Sequence, residues 1–257
     1  MRTCSIWIGL PLALFFATVA GCQPVPPGAA SPQIRKQWAL GEHVARDLES
    51  RDGRIDDPEI LDYVLRVETR VAPAGGKAGD IRLTKSSDHY ARLLPHGAFY
   101  ISAGLLEFVS SESELAGLFA HELAHLNEPE ITAPAGAPLI YEPGSAASLA
   151  PPGWVEKMRE KERRANAAAS GYLKSAGYDP SAVLDLFSRL AYEHPDWARA
   201  IVPYDILLLR TESEADPAPA GGFVIDSSRF RQMQEKLARI TGKPLRTARN
   251  RPTLQHR

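Results

Sequence analysis

The apolar residues of the chain first repeat at a helical period. Within 33–50, five of them fall at helical spacings of three and four: Trp38, Ala39, Val44, Ala45 and Leu48. This spacing predicts a helix. Asp57 followed by Pro58 has the form of an N-cap and first turn, which predicts a second helix that runs to Val71.

Between residues 75 and 100 the pattern changes to short β-like runs. Three of them, at 81–84, 90–94 and 98–101, are separated by turn sequences that contain Ser, Asp, Pro, His and Gly. Helical patterns return after Ser102 and continue through most of the remaining chain. The pattern therefore predicts an α+β fold that is mostly helical, with a small sheet beside a helix.

A long insert interrupts the helical part of the chain. The stretch 128–153 contains six prolines, which is too many for a helix or a strand. Structureless segments of this length within a compact domain are usually functional or disordered. We therefore predict one domain over 34–240 that carries a proline-rich insert.

Positive and negative charges balance in the whole chain, but they are unevenly distributed along the sequence. The 30 basic and 31 acidic side chains leave a formal net charge of −1, so no nucleic-acid partner is expected. After Ser228, nine Lys or Arg residues stand against one acid, Glu235, and 241–257 forms a basic tail. A solvated basic helix with a frayed end and a surface for anionic lipid both fit this pattern.

Residues 1–21 have the form of a bacterial export signal. Arg2 precedes an apolar stretch of about 15 residues, which is shorter than a membrane-spanning helix. The stretch ends before Cys22 in a sequence that resembles the bacterial lipobox. The resemblance predicts a lipid on Cys22, a flexible tether over 22–33, and a place on the periplasmic side of the envelope, at the outer membrane. An ordinary cleaved signal followed by a chance cysteine is the alternative.

One predicted helix carries two histidines four residues apart. It begins with a capping box at Ser111 and contains His-Glu-Leu-Ala-His at 121–125. Residues four apart share a helix face, so His121 and His125 can reach one ion, and Glu122 lies about 100° around the helix. This arrangement predicts a zinc site with Glu122 as general base. An amphipathic helix with two hydrogen-bonded histidines is the alternative.

A third ligand is predicted from the helix after the insert. Its apolar face has seven members: Val155, Met158, Ala165, Ala169, Tyr172, Leu173 and Ala176. Glu162 falls on this face, whereas Glu156 and Glu160 do not. A buried carboxylate needs a partner, which a metal ion would supply, and Asn166 one turn later can hydrogen-bond a ligand. A glutamate that reaches solvent from a partly exposed helix is the alternative.

Together these motifs resemble the HtpX and CAAX-prenyl-protease family of zinc metallopeptidases, and most closely its small periplasmic lipoproteins. The best match is the stretch 113–125. The stretch 94–106 resembles the strand and helix start that precede the family's active-site helix. Glu162 and Asn166 stand where the family has a glutamate followed four residues later by an aspartate. The resemblance covers about residues 34–238.

The resemblance implies one zinc ion per chain, with three ligands: His121, His125 and Glu162. Glu122 would be the base and proton shuttle. His194 would stabilise the oxyanion or occupy the open metal position, and Arg199 belongs to the same later motif and would support the site. A surface histidine before a proline turn is the alternative for His194.

The resemblance also implies how substrate binds. Four residues are expected to pair with substrate backbone as an added strand: Gly97, Ala98, Phe99 and Tyr100. Backbone pairing selects side chains weakly, so unfolded or misassembled envelope proteins are the expected substrates. Two features depart from the family's pattern. The insert 128–153 would act as a lid over the cleft, which suits a latent enzyme. Asn166 in place of aspartate removes a charge next to the ligands, which predicts weaker zinc binding.

Two other functions fit parts of the sequence. In the first, Asn166 and the lid indicate lost catalysis, and the cleft binds client proteins as a chaperone or adaptor. In the second, the chain is a structural envelope lipoprotein whose basic tail binds a cell-wall polymer. Retention of Glu122 favours the enzyme, because a binding protein needs no general base.

Overall fold

The structure is mostly helical and contains one small sheet, as the sequence predicts. The computed structural model describes residues 32–72, 80–94, 97–127, 154–193 and 222–243. The helices are α1 (Pro32–Asp52), α2 (Pro58–Val71), α3 (Ala103–Phe108), α4 (Glu112–Asn127), α5 (Trp154–Ser175), α6 (Ala182–Glu193) and α7 (Ser228–Thr241). The strands are β1 (Arg54–Ile55), β2 (Asp80–Thr84), β3 (Ala91–Leu93) and β4 (Ala98–Ser102).

Several predictions concern residues outside these ranges. They are the export signal, the lipid site Cys22 with its tether up to residue 31, the insert 128–153 and the tail from residue 244 onward. These stay predictions. Among the described helices, none combines the length and the apolar character that crossing a membrane requires.

The predicted start of α2 is formed by side-chain capping. The Asp57 carboxylate accepts hydrogen bonds from the backbone N–H groups of Glu59 and Ile60, both at 3.1 Å. Pro58 occupies the first turn, where its missing N–H costs nothing. The helix therefore begins where the sequence predicts.

The capping box of α4 forms only in part. Ser111 Oγ accepts a hydrogen bond from Glu114 N at 3.1 Å, as expected. The Glu114 carboxylate instead accepts hydrogen bonds from Ser110 N and Ser110 Oγ, both at 2.7 Å, and from Arg189 at 2.6 Å. The second half of the cap thus ties the start of α4 to α6.

The sheet has the strand order β1-β2-β4-β3. β2 and β4 are parallel, whereas β1 and β3 pair antiparallel with their neighbours. β4 is buried on both faces because its side chains alternate between two cores. Phe99 and Ile101 lie in the main core, where the Phe99 ring is 5.8 Å from that of Phe119 on α4. Ala98 and Tyr100 lie in the smaller core under α1.

Two carboxylates of α1 accept hydrogen bonds from tyrosines in or next to the sheet, and these contacts hold α1 against it. Tyr100 OH donates to the carboxylate of Glu49, which also receives a hydrogen bond from Arg82 at 3.0 Å. Tyr90 OH donates to the Asp52 carboxylate at 2.6 Å. The sheet therefore separates α1 from α4.

α4 lies at the centre of the helical layer, in contact with α2, α5 and α6. α6 approaches it closely at Gly117: a Cβ atom on this glycine would lie 2.8 Å from Val183 N and 2.9 Å from Val183 Cα. Such distances are too short for a side chain. The absence of a side chain at Gly117 therefore sets the distance between α4 and α6.

Gly117→Ala should destabilise the protein, although alanine is the better helix former. The added methyl must push α6 away from α4, and overpacking of this kind lowers the free energy of unfolding by about 1–3 kcal/mol. The matched control is Gly171→Ala on α5, where a Cβ atom meets nothing within 4 Å. The control should gain up to about 1 kcal/mol from helix propensity. Urea unfolding of both variants tests this, and equal shifts would contradict the close contact.

Candidate active site

Three side chains from two helices meet at one point. His121 and His125 on α4 place their Nε2 atoms 3.1 Å apart. Each Nε2 atom lies 3.2 Å from Oε2 of Glu162 on α5. Within the described residues, this is the group whose ligand atoms are close enough to hold a metal ion together.

The packing of α5 against α4 explains this convergence. Three small or apolar residues of α5 are fully buried at the predicted face: Ala165, Ala169 and Leu173. Glu162 continues this face one turn earlier, and its side chain is only 14% exposed. The two histidines follow each other by one turn of α4, with ring planes at 90°. The helical periods of the two segments therefore aim all three side chains at one position.

The three donor atoms fit a zinc ion. Zinc binds imidazole nitrogen and carboxylate oxygen at about 2.0–2.2 Å, so two ligands of a tetrahedral site lie about 3.3 Å apart. The observed separations of 3.1 and 3.2 Å are close to this value. Two imidazoles and one carboxylate are also a donor set that zinc favours, and three protein ligands leave one position for water or substrate.

Neighbouring side chains hold the ring of His121 in place. Its Nδ1 atom lies 2.9 Å from Oδ1 of Asn166, one turn after Glu162 on α5. On α6, the Phe187 ring meets the imidazole edge to face, with 5.0 Å between centroids. Sequence reasoning found Asn166 by its helical spacing but missed Phe187. The only signal for Phe187 is the apolar periodicity of α6, which does not say which core residue touches a ligand.

The site perturbs the protonation of its carboxylates in opposite directions. Burial raises the pKa of Glu122, against the pull of the two nearby imidazoles. Burial would also raise the pKa of Glu162, but hydrogen bonds from His121 and His125 outweigh it and hold the pKa of Glu162 well below its ordinary value. Burial opposes protonation of His121, yet its contacts with Glu162 raise its pKa. Glu162 is thus suited to hold a cation, and Glu122 to accept a proton.

β4 does not offer a free edge for substrate, so the expectation for Gly97, Ala98, Phe99 and Tyr100 must be corrected. β2 pairs with one side of β4 and β3 with the other. Tyr100 is fully buried and faces α1, on the opposite side of the sheet from α4. Gly97, at φ 89°, belongs to the turn that joins β3 to β4.

β3 is an edge strand: it pairs with β4 on one side, and its other side forms the edge of the sheet. Tyr90 accepts a backbone hydrogen bond from Ser102 N at 3.0 Å, and Leu94 N donates to Ala98 at 2.8 Å. In an antiparallel pair, every second residue directs its backbone N–H and C=O groups toward the partner strand. Tyr90 and Leu94 direct these groups toward β4, so Ala91 and Leu93 direct theirs outward. No other strand within the described residues pairs with this edge.

Two predicted site residues, His194 and Arg199, lie outside the described residues. Their roles stay predictions. The described site therefore consists of Glu122 and the three candidate ligands, with Asn166 and Phe187 behind His121.

Residues 65–134 match the sequence model of peptidase family M48. An alignment over 191 residues also relates the chain, at 26% identity, to a Vibrio cholerae protein of serotype O1 (strain ATCC 39315 / El Tor Inaba N16961). That protein is provisionally named a beta-barrel assembly-enhancing protease. The alignment covers 63% of this chain and 39% of the relative, so the chain spans less than half the length of that protein.

Both comparisons point to proteases: residues 65–134 are similar to peptidase family M48, and the relative is named a protease. The M48 match includes His121, Glu122 and His125 but ends before Glu162. The third ligand therefore depends on the geometry described above, where α5 brings Glu162 to both imidazoles. M48 enzymes are zinc metallopeptidases, which agrees with the donor set.

Glu122→Gln should stabilise the metal-free protein near neutral pH. The raised pKa of Glu122 means that its carboxyl group ionises more readily in the unfolded chain. Ionisation therefore weakens folding progressively as the pH rises from the ordinary value of 4.5 through the folded pKa. Urea unfolding with a chelator present, from about pH 5 to about pH 8, should show a growing advantage for the variant that then levels off.

Glu162→Gln provides the comparison of opposite sign. The pKa of Glu162 is lowered, so its carboxylate contributes stability that is present above 4.5 and lost as the pH falls through its folded value. The raised pKa of His121 limits this contribution at the alkaline end, because neutral imidazole no longer pairs with the carboxylate. Glu162→Gln should therefore be less stable than wild type at pH values between the lowered pKa of Glu162 and the raised pKa of His121. Equal effects of both substitutions would contradict the opposed pKa shifts.

Proposed function

We propose that the protein is a zinc-dependent endopeptidase of the bacterial envelope. The observation that carries the proposal is the meeting of His121, His125 and Glu162, with Glu122 next to a ligand on the same helix. Support also comes from the M48 match over the α4 region. A metal-dependent hydrolase needs both a metal position and a base beside it, and α4 supplies the base with two of the ligands.

Each residue would have a distinct role in hydrolysis. Zinc, when bound by the three ligands, would polarise the scissile carbonyl and activate the attacking water. Glu122 would take a proton from that water and deliver it to the leaving amine. Its raised pKa favours both transfers, because a carboxylate whose pKa is raised toward the operating pH is a stronger base than an ordinary one. His194 would stabilise the oxyanion, with Arg199 in support.

The substrate backbone would pair with the outer edge of β3. Ala91 and Leu93 offer unpaired backbone groups there, and β4 connects this edge to α4 through Phe99 and Phe119. Backbone pairing requires an extended, unfolded segment and reads side chains weakly. We therefore infer that unfolded or misassembled envelope proteins are the substrates.

The proposed location is the periplasmic face of the outer membrane, through a lipid on Cys22. The name of the Vibrio cholerae relative, a beta-barrel assembly-enhancing protease, supports an envelope role. A protease held at the membrane by its own tether would meet misassembled envelope proteins at high local concentration. The insert 128–153 would regulate access as a lid.

Cleavage of an unfolded protein tests the activity. Zinc-loaded wild-type protein should cleave casein, and Glu122→Gln should lose at least about 100-fold in rate, because removal of a general base costs about 10²–10⁴-fold. Glu156→Gln is the matched control: this glutamate lies on α5 with 62% of its side chain exposed and should leave the rate unchanged.

Zinc content measured on the same samples separates the outcomes. If wild type and Glu122→Gln both bind zinc and neither cleaves, even with the 128–153 insert shortened, the enzyme proposal fails. The chaperone or adaptor function would then replace it. Cleavage that persists in Glu122→Gln would contradict the role of Glu122 as base.

The β3 edge is tested by a proline that removes one outward donor. Ala91→Pro deletes the N–H of Ala91 but leaves the ladder with β4 intact, because that N–H points away from β4. Loss of one such hydrogen bond should lower kcat/KM for casein between about twofold and tenfold. Ala91→Val adds similar bulk, keeps the N–H group and should retain the activity. Equal losses in both variants would mean that the side chain matters and the backbone does not.

A further inference from the structure

Asn166 is a buried amide that touches a candidate metal ligand. It is only 4% exposed, and its Oδ1 atom lies 2.9 Å from Nδ1 of His121. Its Nδ2 atom is buried and finds no hydrogen-bond partner among the described residues. The Asn166 amide therefore forms a hydrogen bond with His121 through its oxygen, while its nitrogen has no hydrogen-bond partner among the described residues.

We propose that Asn166 is a positioning residue that orients His121 for zinc while holding the zinc affinity below that of a carboxylate at the same place. The proposal rests on the proposed zinc site. It assigns to this chain a metal site tuned for exchange, so that the supply of zinc would set how much of the protein is loaded.

The orientation follows from hydrogen-bond chemistry. An amide oxygen only accepts, so the contact requires a proton on Nδ1 of His121. Neutral imidazole then has its lone pair on Nε2, the atom that faces Glu162 and His125. With the amide turned around, Nδ2 would donate to Nδ1, and the proton on Nε2 would block the metal position. The observed orientation of Asn166 is therefore the one that prepares His121 to bind.

The reduced affinity follows from charge. A carboxylate at this place would accept the Nδ1–H in a charge-assisted hydrogen bond, which is shorter and stronger than one to a neutral amide. It would also add a negative charge next to a dication. Partners behind metal ligands commonly change affinity by about 10- to 100-fold.

Zinc affinity in three variants tests the proposal. Zinc alone is titrated against a chromogenic chelator, with the full protein in each case. Asn166→Asp should bind zinc at least about tenfold more tightly, and Asn166→Leu, which has similar volume but no acceptor, at least about tenfold more weakly. The matched control is Ala167→Asp, which adds the same charge at the next, exposed position of α5. The control should stay within about twofold of wild type, because solvent screens its charge.

A spectroscopic measurement on the zinc-loaded protein examines the hydrogen bond directly. The Nδ1–H proton of His121 is held in a buried contact and should give a slowly exchanging NMR signal. In Asn166→Asp the signal should move downfield, as a stronger hydrogen bond requires. In Asn166→Leu it should exchange rapidly or disappear. A residue that only fills space would change neither.

The outcomes separate this inference from the proposed function. Zinc binding that is unchanged by Asn166→Asp, or changed equally by Ala167→Asp, would overturn the inference and leave the zinc peptidase standing. An affinity that falls in Asn166→Asp would also overturn it. If wild type binds no zinc, the proposed function and the inference both fail.

Discussion

The arrangement of the helices depends on bringing two imidazoles and one carboxylate into an apolar interior. His121 is 4% exposed, and burial of an unpaired charge beside it would be costly. The structure meets this constraint by placing all three donor atoms within about 3.2 Å of one another. The small residues of α5 then matter because they allow Glu162 to approach α4 closely, and Gly117 matters because it allows α6 to pack closely against α4.

The start of α4 is held by a second buried carboxylate. Glu112 accepts hydrogen bonds from Tyr63 of α2 at 2.9 Å and from Tyr178, after α5, at 2.8 Å. Ser227, just before α7, also donates to it. Negative charge at a helix N-terminus is favourable in its own right, because it opposes the helix dipole. Three distant segments therefore fix where α4 begins, and so where its histidines point.

Local signals in the sequence predict much of this arrangement. Helical spacing places His121, His125 and Glu162 on inward faces, because the period of a helix does not depend on distant contacts. The N-cap at Asp57 is equally local. The order of the strands is not, because the parallel pairing of β2 with β4 and the insertion of β4 between β2 and β3 depend on tertiary contacts. For that reason the sequence predicts strand 98–101 but misassigns it as a surface for substrate.

The contacts of α7 have a consequence for the order of assembly. Gln234 donates to the carbonyl of Val109 at 2.7 Å, and Ser227 reaches Glu112 across 115 positions of sequence. The region where α3 passes into α4 is thus completed by residues that lie more than 100 positions later in the chain. Contacts so far apart in sequence form late, since closing a long loop is entropically costly. A chain in which α7 had not yet docked would lack these hydrogen bonds, and α4, which carries two of the three candidate ligands, would gain these supports only when α7 joins it.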